Sequence, residues 1–243
     1  MAPIAPLFAH PPPGLRTIHH IPKPARAACA AALADTLDGV VNEPQSTKAW
    51  TALLHFGSLF LHVTERGGKR WNISSILLKR LNTGPTSADD HSDLPTIHCK
   101  SDADSARAAA ISTKLEEGNI TAAVMILWSD DSPADFSSSN LDRLRGKHPS
   151  EHAGARPSAN PMEKPALQVS EIAVLKVVRS FPAGSTGVSD GIRPQHLLEL
   201  VQYKEMGNRL LTSLTAFVNS QLDERCHKDF AQILFGGRLL AME

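Results

Sequence analysis

The sequence has few cysteines and no long apolar run, and both absences exclude classes of protein. No stretch of the chain reaches the roughly 18 uncharged apolar residues of a membrane span, so we expect neither a transmembrane helix nor a membrane partner. The three cysteines, Cys29, Cys99 and Cys226, are too few and too far apart for a disulfide scaffold or a C-x-x-C site. The N-terminus also lacks the basic start and apolar core of a signal peptide. We therefore expect an intracellular protein, nuclear or cytoplasmic, with reduced thiols.

An excess of charge of one sign is also missing. The 243 residues include 25 Lys and Arg against 25 Asp and Glu, which gives a formal net charge of zero. This balance argues against a uniformly basic nucleic-acid binder, but it leaves room for a local basic patch.

Two proline-rich regions divide the chain. Residues 1–24 hold seven of the 17 prolines, which predicts a disordered tail, and residues 129–168 are rich in proline and serine, which predicts a flexible linker. The intervening segments, 25–128 and 169–243, show helical spacing of apolar residues, and long alternating strand patterns are absent. The sequence therefore predicts a mainly α fold of two helical blocks joined by a Pro/Ser-rich linker.

Apolar spacing and capping residues place the helices of the first block. Leu33, Leu37, Val40 and Val41 share one helix face, and Pro44 is predicted to start the next helix. Gly118 is predicted to end a helix and Asn119 to cap another. The buried side of that last helix is predicted to consist of Ile120, Ala123, Val124, Leu127 and Trp128.

In the second block, Ser170 is predicted to cap a helix that carries Ile172, Leu175 and Val178. Pro194 is placed to start another helix. The most regular amphipathic helix of the chain is predicted over 210–222.

Metal and cofactor sites are not indicated. His148 and His152 have helical spacing, but Pro149 between them disfavours a helix that could present two ligands. A G-x-S-x-G nucleophile motif is absent. The glycine-containing loop at 184–191 ends in Asp190-Gly191 instead of the Gly-Lys-Ser/Thr of a phosphate-binding loop. We therefore expect no metal and no cofactor.

The sequence contains one cluster of basic residues, although its net charge is zero. Five positive and no negative side chains lie between positions 66 and 80, and Trp71 lies among them. Such a cluster can bind nucleic-acid phosphates without sequence preference. The alternative interpretation is a solvent-exposed surface, because charge runs on helices usually do no more than face water. The candidate nucleic-acid-binding residues are Arg66, Lys69, Arg70, Lys79 and Arg80.

Several ordered stretches resemble the reverse-transcriptase-like proteins of non-LTR (LINE-type) retrotransposons. They are the segments at 50–81, 111–149, 178–200 and 210–243, so the resemblance extends over about 19–243, nearly the whole chain. The resemblance implies that 25–128 is a helical N-terminal extension and that 169–243 is the start of a fingers region.

The resemblance also implies a turn motif. The family has a Gly-Pro-Asp-Gly turn before the fingers, and the corresponding residues here are Gly187, Asp190 and Gly191, followed by Arg193. The proline of that turn is missing, which implies a looser turn.

The resemblance implies that the palm, with the carboxylates that a polymerase needs to hold its metal ions, would lie downstream of 169–243. A Tyr-x-Asp-Asp signature is absent from this sequence. The resemblance therefore implies a truncated protein that is not an enzyme by itself and that retains weak binding to RNA or DNA.

Two alternatives remain open. One is a helical protein-interaction module, in which the apolar face of the helix at 210–222 would lack its usual packing partner and be exposed. The other is an element remnant without function. The sequence leaves the oligomeric state open.

Overall fold

Helices make up about three quarters of the described residues in a computed structural model, which confirms the mainly α class. The structure describes residues 17–63, 72–83, 103–129, 137–147, 167–182, 184–185 and 191–234. In these ranges the only extended pairing is an antiparallel bridge between Thr17 and His62. The α-helices are α1 Arg26–Asn42, α2 Thr47–Phe60, α3 Ile73–Thr83, α4 Ala103–Glu116, α5 Ile120–Trp128, α6 Ser138–Lys147, α7 Glu171–Ser180, α8 Pro194–Val201, α9 Lys204–Leu222 and α10 Lys228–Leu234.

Helix α1 is the centre of the fold. Its alanine-rich sequence favours helix and lets neighbouring backbones come close, and its predicted apolar face is buried at Leu33, Leu37 and Val40. Helices α2, α3, α8 and α9 all pack against it, α9 most extensively. On the outside of this contact, Arg209 of α9 pairs with Asp35 of α1. The longest helix of the second block therefore lies along the first helix of the first block.

Helix α2 begins later than its proline suggests. The helix was predicted to start at Pro44, but Ser46 is the N-cap and its hydroxyl accepts a hydrogen bond from the amide of Ala49 at 3.3 Å. Pro44 lies in the preceding turn, and its carbonyl accepts a hydrogen bond from the indole of Trp50 at 2.9 Å. A cap that satisfies an orphan amide outweighs the preference of proline for the first helical turn.

Trp50 joins the two blocks. Its fully buried ring stacks on Phe230 of α10, with ring centroids 5.5 Å apart, and meets the edge of Phe217 of α9 at 6.0 Å. A single apolar cluster contains buried residues from both blocks, including Val40, Leu77 and Leu210. The described residues between 25 and 83 and between 169 and 230 therefore share one core.

The last part of the predicted disordered tail is ordered. The amide of Ile18 donates to the carbonyl of Leu61 at 2.9 Å, and Ile18 and Ile21 are both buried. A 3₁₀ turn at Lys23–Ala25 then leads into α1. Proline content predicted disorder up to residue 24, but the two isoleucines provide enough apolar burial to hold 17–24 against the core. Residues 1–16 lie outside the described ranges.

The apolar face of α9 is covered. The interaction-module alternative expected this face to be exposed, but Leu210 and Leu211 are buried and Phe217 packs on Trp50. Helix α1 supplies the partner surface. That expectation was therefore wrong for this helix.

The predicted linker at 129–168 also contains a helix. Helix α6 lies inside it, and no residue of α6 is buried. Composition marked the region as polar and solvent-exposed, but it could not exclude a short exposed helix. No helix in the described ranges is long and apolar enough to cross a membrane.

Candidate functional site

The predicted basic cluster is only partly described. Arg66, Lys69 and Arg70 lie outside the described residues, whereas Lys79 and Arg80 lie on α3. Lys79 is exposed. Helix α3 packs against the Lys23–Ala25 turn, whose Lys23 is also exposed, and neither element carries an acidic residue.

Arg80 has a structural role in the same helix. Its guanidinium donates to the carbonyls of Phe60 and His62 at 3.1 and 2.7 Å, and it lies 2.8 Å from Nε2 of His62. The Nδ1–H of His62 donates to the carbonyl of Ser58 at 2.8 Å, which leaves Nε2 free to accept from Arg80. Burial lowers the pKa of Arg80. Arg80 therefore ties α3 to the end of α2 and has fewer donors left for phosphate than a free arginine.

The turn motif is half described. Gly187 and Asp190 lie outside the described residues. Gly191 has a φ of 77°, and a β-carbon there would lie 2.9 Å from the methyl group of Thr17. Only glycine satisfies both the backbone angle and the close approach. The turn at Gly191 therefore packs directly on the N-terminal segment.

Arg193 follows this turn as the N-cap residue of α8. Its guanidinium reaches Glu117 at the end of α4 at 3.1 Å. This contact belongs to a group of charged residues that the sequence did not predict. We call it the clasp and define it as His19, His20, Glu117, Arg193 and Glu199.

Glu199 is the buried carboxylate of the clasp. It accepts hydrogen bonds from His20 Nδ1 at 2.6 Å, from the amide of Ile21 at 2.8 Å and from Gln195 at 3.0 Å. Arg26 adds an ion pair at 3.2 Å. Burial by itself raises the pKa of Glu199, but these donors outweigh it and the pKa is lowered overall. The ionised carboxylate therefore holds the N-terminal segment against α8.

Glu117 is the second carboxylate of the clasp. It pairs with Lys114 at 2.9 Å, and with His19 and Arg193 at 3.1 Å each. Burial by itself raises the pKa of Glu117, but the pKa is lowered overall. The lowering comes from the hydrogen bond and the charge of Lys114 and from the charges of Arg193 and His19. Lys114 also donates to the carbonyl of Gly184 at 2.6 Å. Glu117 therefore fastens the end of α4 to the segment before α8.

His196 lies beneath the clasp and is fully buried. The amide of Arg193 donates to its Nδ1 at 3.1 Å, so its Nε2 carries the proton and donates to the carbonyl of Ile18 at 2.7 Å. Burial lowers the pKa of His196 to about 4, which keeps the ring neutral. The neutral tautomer is the one that both hydrogen bonds require.

The clasp borders a small cleft lined by His19, His20, Glu117, Gly184, Ser185, Arg193 and Gln195. Each clasp carboxylate already accepts from several donors, so neither is placed as a general base. In the described ranges no three His, Cys, Asp or Glu side chains are grouped to hold a metal ion. The arrangement fits a structural role: it joins the N-terminal segment, the end of α4 and α8.

The cysteines within the described residues are reduced. Cys29 and Cys226 are free thiols, and Cys99 lies outside the described residues. Burial raises the pKa of Cys29 to about 12, so its thiol is protonated and unreactive at neutral pH.

The predicted buried side of α5 faces solvent. Of its five residues only Ala123 is buried, whereas Ile120, Val124, Leu127 and Trp128 are exposed. Helical spacing placed Ile120, Val124, Leu127 and Trp128 on one side of α5, but spacing does not reveal whether another element covers that side.

Comparisons with known proteins give no neighbour for this arrangement. No protein-family model, no curated protein and no solved structure matches the chain.

Proposed function

We propose that the chain binds RNA or DNA weakly through the basic cluster at 66–80, as a reverse-transcriptase-like protein of a non-LTR retrotransposon. The observation that carries the proposal is the run of five positive charges without a negative one. The resemblance of the surrounding segments to that family supports the choice of ligand.

The exposure of Lys79 supports a role for this lysine in contacting phosphate. Lys79 is exposed on a helix without acidic residues, and the neighbouring 3₁₀ turn adds the exposed Lys23. Phosphates would therefore meet no repulsion from carboxylates on these two elements. Arg80 positions α3 through its contacts with the end of α2, so phosphate contact falls mainly to Lys79, Arg66, Lys69 and Arg70.

The test compares how the affinity for single-stranded RNA or DNA depends on salt in the wild type and in a quadruple variant. The variant combines Arg66→Ala, Lys69→Ala, Arg70→Ala and Lys79→Ala. Arg80 is kept because its removal would release the end of α2. Each lost phosphate contact should reduce the slope of log affinity against log salt by about 0.7 on single strands. The quadruple variant should therefore lose about 3 units of slope, and it should lose affinity uniformly across sequences.

The matched control is the triple variant Arg143→Ala, Arg145→Ala and Lys147→Ala on the exposed helix α6. This control should bind RNA and DNA like the wild type. Equal affinity and equal salt slope for the quadruple variant and the wild type would overturn the proposal.

A further inference from the structure

Helix α5 presents an uncovered apolar face. Five of its nine residues are large, apolar and exposed. The exposed fractions are 65% for Ile120, 42% for Val124, 68% for Met125, 55% for Leu127 and 80% for Trp128.

The exposed residues form one continuous face. At 3.6 residues per turn they fall within an arc of roughly 160°. The opposite side carries Ala122, Ala123 and Ile126, which are less exposed, and α4 packs against α5. Two alanines and one isoleucine thus face the contact inside the hairpin, and the five exposed apolar residues point away from it. A helix that is apolar all round is normally covered by another surface.

The α4–α5 hairpin holds this face in place. Gly118, with a φ of 74°, ends α4 in a Schellman motif, in which the amides of Gly118 and Asn119 return to the carbonyls of Leu115 and Lys114. The side chain of Asn119 then caps α5 by accepting from the amide of Ala122 at 3.1 Å.

At the other end of α5, Arg107 of α4 donates to the carbonyls of Ile126, Leu127 and Ser129 at 3.1, 2.6 and 2.7 Å. Both ends of α5 are therefore fixed before any partner arrives, which reduces the entropy cost of association.

The properties of the face favour a second copy of this chain as its partner. Residues 120–128 contain no charged side chain, so two copies related by a two-fold axis would meet without repulsion. With Leu115 on the neighbouring turn, 54% exposed, the face offers on the order of 700 Å² per copy. Stable interfaces of standard size bury about 600–1,000 Å² per partner, so this face is large enough.

A lipid surface fits less well. Helices that lie on membranes carry lysine and arginine beside the apolar face. Here the charged residues nearest the start of the helix are Glu116 and Glu117, and the nearby Lys114 is paired with Glu117.

We propose that the chain forms a two-fold homodimer in which the α5 faces of two copies pack on each other, with Val124 at the centre of the face and Met125 and Trp128 as its most exposed residues. This proposal does not depend on nucleic-acid binding, because no residue of α5 belongs to the basic cluster.

The experiment measures the mass of the full chain by light scattering during size-exclusion chromatography. The wild type should have twice the 26.2 kDa of one chain at micromolar concentration. The double variant Met125→Glu, Trp128→Glu should be monomeric, with the dissociation constant raised at least about 30-fold.

The matched control is Ile172→Glu on α7. Ile172 is 80% exposed, as Trp128 is, but it lies between exposed Glu171 and Lys176 on a mixed face. This variant should remain a dimer.

A measurement on the wild type covers the case in which the double variant does not fold. Dilution should shift the Trp128 emission to longer wavelength as the dimer dissociates, and Trp128→Phe should abolish that shift. Dissociation without this shift would place the interface elsewhere and overturn the proposal.

Three further outcomes would overturn it. One is a wild type that stays monomeric at about 100 μM. The second is a folded double variant that remains a dimer. The third is a monomeric wild type that sediments with phosphatidylcholine vesicles while the double variant does not, which would make the partner a lipid surface.

Discussion

The ring of His196 donates a hydrogen bond from Nε2 to the carbonyl of Ile18 at 2.7 Å, across 178 positions of sequence. The same ring accepts from the amide of Arg193 at its other nitrogen. One neutral histidine therefore caps the start of α8 and also holds the N-terminal segment against this helix. The clasp lies above this contact, so the order of 17–24 depends on residues from the far end of the chain.

The first prediction concerns the titration of His196. Its pKa is about 4 in the folded chain against an ordinary value of 6.5. Between these values the unfolded chain binds a proton and the folded chain does not, so this contribution to stability is full above pH 6.5 and is lost as the pH falls towards 4. We expect the free energy of unfolding to fall by about 3 kcal/mol over this window through His196 alone.

Urea unfolding at a series of pH values measures this effect. His196→Gln should be less stable than the wild type at pH 7.5, and the difference should shrink as the pH falls from 6.5 to 4. His19→Gln is the control, because the His19 side chain is 45% exposed. The free energy of unfolding of this variant should fall between pH 6.5 and 4 as much as that of the wild type. A constant difference between His196→Gln and the wild type across the window would contradict the prediction.

The features that could be predicted from sequence are those set by neighbouring residues. Gly118 ends α4 and Asn119 caps α5, as predicted, because a left-handed glycine and a capping side chain act within one helical turn. The cap at Ser170 and the helix start at Pro194 are confirmed for the same reason.

The features that could not be predicted depend on contacts between distant segments. Glu199 meets His20 across 179 positions, and Glu117 meets His19 across 98, so no local pattern connects them. Helical spacing likewise placed Ile172 and Val178 on α7, but it does not reveal which side of a helix another element covers, and Val178 is buried whereas Ile172 is exposed. The His19-His20 pair was the one local signal of the clasp, and the neighbouring prolines led us to place it in a disordered tail.

The second prediction concerns the turn before α8. Gly191→Ala should lower the free energy of unfolding by about 1–3 kcal/mol, because alanine resists a φ of 77° and its β-carbon would approach Thr17 within 2.9 Å. The control is Gly39→Ala inside α1, where a β-carbon meets nothing within 4 Å. That change should raise stability by about 0.5–1 kcal/mol, because alanine favours helix. Thermal unfolding of both variants checks the opposite signs, and a stabilised Gly191→Ala would disprove the turn geometry.

The third prediction concerns the buried carboxylate of the clasp. Glu199→Gln removes the negative charge that Arg26 and His20 contact, and it places an amide NH₂ group next to other hydrogen-bond donors. We therefore expect the free energy of unfolding to fall by about 2–3 kcal/mol at pH 7.

Because the pKa of Glu199 is lowered in the folded chain, its stabilisation is present above its ordinary pKa of 4.5 and is lost as the pH falls through the folded value. The difference between wild type and Glu199→Gln in urea unfolding should therefore be full at pH 7 and shrink below pH 4.5. Glu205→Gln, on the exposed first turn of α9, is the control and should change stability by less than about 0.5 kcal/mol. Equal losses of stability in Glu199→Gln and Glu205→Gln at pH 7 would contradict the prediction. The four donors around Glu199 would then not hold the N-terminal segment to α8.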